Sequence, residues 1–183
     1  MSKSIPRTFI TYVEDRPGVL NRVVSLFRRR GYNIESLTVG RSAREDVSRI
    51  TLVLHADEDM ARRIQANLYK LVNVLYVADV TTSAAVCREM ALIRVKATNG
   101  KRAEVLQLCE VFRARVVDVA PESLCLEITG TQDKIDSLVE VLRPVGILEM
   151  VRTGAVAMLR GTEADQAGAT APDRHIEHHI VAA

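Results

Sequence analysis

Tryptophan is absent from this chain, and phenylalanine and tyrosine together supply only 4% of its 183 residues. Cores must therefore be built from Val, Leu, Ile and Ala, with little left over to stack bases or cradle an aromatic cofactor. Charge of one sign is also lacking. The 25 Lys and Arg against 23 Asp and Glu leave a net charge of +2, too mild and too scattered to imply nucleic acid. Three cysteines, Cys87, Cys109 and Cys125, are odd in number and match no zinc spacing, so they read as reduced thiols of a cytoplasmic protein. No apolar run approaches a membrane span, and Met1 to Arg7 holds no apolar signal region, so neither secretion nor anchoring is expected. The constellations of catalysis are missing as well: no nucleophile with a base, no metal cluster, no phosphate-cradling glycine loop. Glu14 and Asp15 are adjacent carboxylates at a strand exit beside Arg16, which keeps both charged, unlike a general acid. The lone His175, His178 and His179 have no nearby Cys and no fixed scaffold, and read as no metal site.

What is present is a pattern of elements that occurs twice. Arg7 to Val13 is a strand, Pro17 to Arg30 a helix ended by Gly31, Tyr32 to Gly40 a second strand and Val47 to His55 a third. In the third, Ile50, Leu52 and Leu54 share one face and Arg49, Thr51 and His55 the other, the pattern of a sheet covered on one side. Asp57 caps a second helix with Met60, Ile64, Leu68 and Leu71 at helical intervals, and Val74 to Val80 is a fourth strand. After a small, polar link at Thr81 to Glu89 the order returns. Met90 to Ala97 leads through an Asn99-Gly100 turn to a helix with Val105, Leu106, Leu108, Cys109 and Phe112 inward. A hairpin follows around Pro121-Glu122, then a helix capped by Asp133, then a strand at Ile147 to Val151 extended by Ala155 to Leu159. The expected fold class is α+β, two ferredoxin-like βαββαβ units, each an antiparallel four-stranded sheet with two helices on one face. The domains predicted are residues 1–83, residues 84–160 and a flexible polar tail at 161–183.

The stretch V-E-D-R-P-G-V-L at Val13 to Leu20 carries the most information. Pro17 suits a first helical position, and Gly18 lets a ligand approach the free amides of Gly18, Val19 and Leu20 at the positive end of the helix dipole. Asp15 can cap those amides or accept from an ammonium group, and Asn33, past the far end of the helix, can do both. With Val13, Val19, Leu20 and Ile34 nearby, these groups describe a seat for an apolar amino acid. The same residues equally describe a well-capped helix leaving a strand. A helix start contributes only about 0.3 to 2 kcal/mol to holding an anion, while micromolar to millimolar binding needs roughly 4 to 8. Such a seat requires further walls, as a second chain would give. The second half has no counterpart of Asp15-Arg16-Pro17-Gly18, which places any small-molecule site in the first.

The order of elements together with E-D-R-P-G-V-L at Glu14 to Leu20 resembles an ACT domain, an amino-acid-sensing module. R-R-G-Y-N-I-E-S-L-T-V at Arg29 to Val39, K-L-V-N-V-L at Lys70 to Leu75 and R-E-M-A-L-I-R-V at Arg88 to Val95 are similar to the small, regulatory subunits of acetolactate synthase. That resemblance, covering about residues 7–160, implies a chain without chemistry of its own and without a bound cofactor. Its partner would be the large catalytic subunit of a thiamine-diphosphate-dependent transferase, which carries thiamine diphosphate, magnesium and FAD. It implies activation of that subunit and feedback inhibition by valine, with leucine or isoleucine as further candidates, in branched-chain amino acid biosynthesis. It also implies a homodimer through the ACT domains, with the effector between Asp15 and Gly18 of one chain and Asn33 and Ile34 of the other. Asp15 departs from the amide carried by well-studied relatives: it keeps an acceptor, loses a donor and adds a charge facing the ligand carboxylate. The alternative is a free-standing ACT sensor acting on another enzyme or a transcription factor, for which Met90 to Leu159 would be superfluous.

Overall fold

The structure, a computed structural model, describes residues 3–98 and 100–161. Asn99 of the expected turn, residues 162–183 of the expected tail and the three histidines near its end lie outside them. The first unit comprises β1 (Ile5–Glu14), α1 (Val19–Arg30), β2 (Ser36–Arg41), β3 (Val47–Ala56), α2 (Glu58–Leu68) and β4 (Val74–Asp79), with strand order β2-β3-β1-β4. All its strand pairs are antiparallel. The alternation of β3 sends Ile50, Leu52 and Leu54 into a core with Phe9 and Val13 of β1, Val23 and Phe27 of α1, and Ile64 and Leu68 of α2. Asp57 caps α2 as its sequence position suggests, its Oδ1 accepting from the Met60 amide at 2.8 Å.

Two boundaries differ from expectation for local reasons. The second strand begins at Ser36 rather than Tyr32, because the chain after α1 is used to close the helix. Gly31 takes a left-handed conformation (φ 69°), the Tyr32 amide donates back to the Phe27 carbonyl at 3.0 Å, and the Tyr32 ring meets Phe27 edge-on. The link between units is likewise shorter than the expected 81–89. Strand β5 (Ala85–Lys96) runs through its second half, because residues 85–88 pair with β9 (Val156–Leu159).

The second unit repeats the first with β5, α3 (Lys101–Phe112), β6 (Arg115–Val119), β7 (Ser123–Gly130), α4 (Gln132–Leu142) and β8 (Ile147–Arg152), strand order β6-β7-β5-β8. Its core gathers Ile93 and Val95, Leu126 and Ile128, Val105 and Cys109, and Ile135, Leu138 and Leu142. Leu106, expected inward, is 43% exposed, since Val105 and Cys109 take the centre of the α3 face. Asp133 does not cap α4. Thr131 holds the N-cap position without a side-chain bond, and Asp133 sits in the first turn, where its charge still suits the dipole.

The segment expected to extend the last strand is instead separate. Gly154 (φ 79°) turns the chain so that β9 pairs with the start of β5, and this two-stranded ladder lies on the open face of the first sheet. There Ile10, Val80 and Ala157 are buried together with Tyr12, Ala78, Ala85, Cys87 and Leu159 packed around them. Arg49 donates to the Ala157 carbonyl and lies over the Tyr12 ring. Part of the face left bare by the helices is thus covered by the second unit. Among the described residues no helix is long and apolar enough to cross a membrane.

Candidate effector site

The turn between β1 and α1 is built by glycine. Gly18 is the N-cap of α1 in a left-handed conformation (φ 84°, ψ −8°), and Pro17, expected as the first helical residue, stands in the turn before it. The Val19 amide is taken by the Arg16 carbonyl at 3.3 Å, which closes that turn. Among the described residues the Gly18 and Leu20 amides have no protein acceptor, no side chain caps the helix, and no acidic residue occupies its first turn. A Cβ built on Gly18 would meet nothing within 4 Å, so the space above these amides is open. The helix start is therefore bare and electropositive at the place the sequence indicates, with two of the three expected amides left as free donors.

Asp15 does not cap it. Its Oδ1 accepts from Ser48 Oγ at 3.1 Å, its Oδ2 stands 3.9 Å from Arg41 Nε, and its amide donates to the Asp46 carbonyl at 2.7 Å. These contacts hold Asp15 toward the β2–β3 turn, where it borders an open groove of about 360 Å³ with Arg41, Asp46 and Val47. The carboxylate is half-exposed and free to accept more bonds. Ser48 and Arg41 were not legible as part of this site; only the register Val13↔Ser48 brings β3 to Asp15. Glu14 is tied elsewhere, accepting from Asn73 Nδ2 at 2.7 Å and pairing with Arg16 at 3.4 Å.

Val19 is buried in the core, whereas Leu20 is 41% exposed and presents its side chain beside the bare amides. Asn33 is exposed, and Ile34 is half-buried against the same core. These two do not join Asp15 and Gly18 within one chain. They lie past the other end of α1, and 12 residues of helix span about 18 Å. An amino acid is far shorter than that.

The second unit provides an internal comparison. Although it has no residues matching Asp15-Arg16-Pro17-Gly18, its backbone repeats the turn: Gly100 caps α3 with φ 81° and ψ −14°, and the Lys101 amide donates to the Thr98 carbonyl at 3.2 Å. The side chains differ. Glu104 sits in the first turn of α3, where its charge opposes any bound carboxylate, and Arg102 is spent on the carbonyls of Ala120 and Pro121. Of the two helix starts, only that of α1 is free of negative charge.

The chain is thus a tandem of two ferredoxin-like units, the first of which presents a bare helix start at an exposed turn. The family comparisons agree. Residues 9–76 match the family described as the AHAS small subunit-like ACT domain, and residues 88–161 match that described as the small subunit of acetolactate synthase. The chain is 47% identical over 156 residues to the probable acetolactate synthase small subunit of Archaeoglobus fulgidus, covering 85% of this chain and 98% of that one. It is 45% identical over 152 residues to the acetolactate synthase small subunit of Bacillus subtilis, covering 82% and 88%. The crystal structure of the small subunit from Thermotoga maritima superposes with a TM-score of 0.81 at 36% identity, covering 86% of this chain and 98% of that chain. The chain belongs to the family of acetolactate synthase small subunits. The match to residues 88–161 sets aside the free-standing sensor.

Proposed function

We propose that this chain is the valine-responsive regulatory subunit of acetolactate synthase: it binds and activates the large catalytic subunit and inhibits it when valine occupies a site shared by two ACT domains. The observation that carries this reading is the separation of the two halves of the site. Asp15, Gly18, Val19 and Leu20 stand at one end of α1, and Asn33 and Ile34 about 18 Å away at the other. A two-fold axis beside and perpendicular to α1 would set the two helices antiparallel and bring one end of each against the opposite end of its partner.

The surface beside α1 suits such an axis. The connection from β1 to β2 passes over β3, so α1 lies toward the free β2 edge. On that edge Leu20 (41%), Val24 (37%) and Val39 (43%) expose apolar side chains. Val39 pairs with the buried Ile50 and so shares the helix-bearing face. Unpaired strand edges and contiguous apolar side chains both favour association.

In the shared site the Gly18 and Leu20 amides would hold the effector carboxylate, the Asp15 carboxylate and the partner's Asn33 would meet its ammonium group, and Leu20 and Ile34 would enclose the branched side chain. Two or more charge-assisted bonds of about 1.5 to 3 kcal/mol each, and about 1.5 to 3 for the buried side chain, reach the 4 to 8 that such binding requires. Thiamine diphosphate, magnesium and FAD would reside on the catalytic subunit, and this chain would hold no cofactor. Calorimetry with valine, leucine and isoleucine on the purified dimer, followed by valine titration of the complex with a cognate large subunit, tests the proposal. Absence of binding heat with all three, or failure of the two subunits to co-purify, refutes it.

A further inference from the structure

We infer that the strap Thr153–Gly154–Ala155 is the joint through which effector binding at the ACT domain reaches the second unit. This rests on the effector reading above and adds the residues that transmit it. Strand β2 begins at Ser36, two positions after Ile34, and serves both partners at once. Leu37 packs against the first core, while Ser36 and Thr38, on the other face of the strand, hold the strap. The Ala155 amide donates to Ser36 Oγ at 2.9 Å, and Thr38 Oγ1 donates to the Thr153 carbonyl at 3.3 Å.

The contact is close enough to require glycine. A Cβ on Gly154 would stand 2.5 Å from Ser36 Oγ and 3.1 Å from Thr38 Oγ1, and its φ of 79° disfavours any side chain. On the far side the strap is firmly fixed. The Thr153 amide donates to the Met90 carbonyl at 3.0 Å, and the Met90 amide donates to Thr153 Oγ1 at 3.1 Å. The next residue, Arg152, grips both oxygens of Glu89 on β5 at 2.7 and 2.8 Å and Asp136 on α4 at 2.6 Å. Arg152 is therefore anchored to a strand and a helix of the second unit at once.

These contacts form an unbroken chain of short bonds from the segment that would touch the effector to β5 and α4. Beside it lies a cleft of about 450 Å³ lined by Leu37, Val53, Gln132 and Gly154, which gives the two units room to shift against each other. Elsewhere they meet through the apolar cluster around Ile10 and Ala157, where Arg49, next to the Asp15 partner Ser48, also donates to the Ala157 carbonyl; that bond joins β3 to β9 and touches neither Asn33 and Ile34 nor Arg152. A displacement of Ile34 and Ser36 on effector binding is thus delivered to Arg152 through the strap.

The test uses two variants in the reconstituted complex with a cognate large subunit. G154A wedges the joint sterically; S36A/T38V removes both hydroxyls without adding bulk. For each, valine affinity of the small-subunit dimer is measured by calorimetry, and activity is measured without valine and at saturating valine. The inference predicts valine affinity within about threefold of wild type and activation without valine preserved, but maximal inhibition at least halved, as expected when coupling free energy is lost while binding is kept. Full inhibition at saturating valine in S36A/T38V overturns it. Loss of inhibition strictly in step with loss of valine binding overturns it too, because the strap would then shape the site rather than transmit from it. A wild-type dimer that binds no branched-chain amino acid instead defeats the effector reading on which the inference stands, and is seen before any variant is made.

Discussion

Replacing Gly18 with Asp separates the two tasks assigned to the first unit. The substitution costs folding energy because residue 18 sits at φ 84°, where an L side chain loses about 1 to 2 kcal/mol. It adds no steric clash, since nothing lies within 4 Å of the built Cβ. For a chain of this size the expected fall in Tm is about 2 to 8 °C, small enough to leave the protein folded. The effect on binding is larger. A carboxylate at this position stands on the order of 5 Å from the effector carboxylate, and two like charges at that distance repel by roughly 0.8 kcal/mol in water and about 3 in a partly screened surface site. Valine affinity should drop by roughly four- to 150-fold, and feedback inhibition with it, while the catalytic subunit is still activated. The control G18A carries the same backbone strain without the charge, so it should show the fall in Tm with most of the affinity kept. Calorimetry, thermal melts and activity of the complex read all three quantities. If G18D binds valine as tightly as wild type on a folded dimer, the amides of Gly18 and Leu20 do not seat the carboxylate and the effector assignment fails.

Other expectations follow from single contacts. Asp15→Asn keeps an oxygen acceptor for the effector ammonium but removes the charge that assists that bond, so valine should bind up to about tenfold more weakly; tighter binding would show that repulsion between Asp15 and the effector carboxylate outweighs its attraction for the ammonium. Ala157→Asp places a charge among Ile10 and Val80 at a site only 2% exposed, and should part the two units, read as faster proteolysis of the 80–84 link with each core still melting cooperatively. Burial of the Cys109 thiol raises its pKa above the ordinary 9.0. Above that pH the unfolded chain loses a proton that the folded chain keeps, so stability should decline as pH rises through the alkaline range, and C109A should flatten that decline. Arg152→Ala leaves Glu89, with its side chain 11% exposed, without its cation, and should destabilise the second unit by about 1 to 3 kcal/mol in denaturant melts after discounting for partial exposure.

The elements that could be read from residue order are those fixed by neighbours along the chain. The alternation at Ile50, Leu52 and Leu54 is a period-two signal strong enough to define β3 and its buried face, and Asp57 three residues before Met60 defines the start of α2. What could not be read depends on residues distant in sequence. Val156–Leu159 reads as strand, but its partner Ala85–Arg88 lies more than sixty residues earlier, so neither its separation from β8 nor the shortened link had a local signal. Asp15 likewise reads as a cap by position, yet Ser48 and Arg41 reach it only once β1 and β3 are in register. In the site itself the exposed helix start was legible from Pro17-Gly18, and Asn99-Gly100 was legible as a turn into a helix, but its likeness to the first was not, because it lacks the proline that marks the first.

That hidden repeat bears on how labour is divided between two units of one architecture. Both begin their first helix with a left-handed glycine and a closing bond from the following amide, so the fold supplies an anion-facing helix start twice. Backbone geometry therefore cannot be what would distinguish the proposed sensing unit from its companion. The difference lies in side chains: no acid in the first turn of α1, Glu104 in that of α3, and a β2 edge that leaves Leu20, Val24 and Val39 uncovered. It follows that Glu104→Gln should weaken the charge opposing a carboxylate at α3 without creating amino-acid binding there, since the second unit would still lack a facing wall; binding of a second valine per chain in that variant would show that charge alone governs which helix start is used.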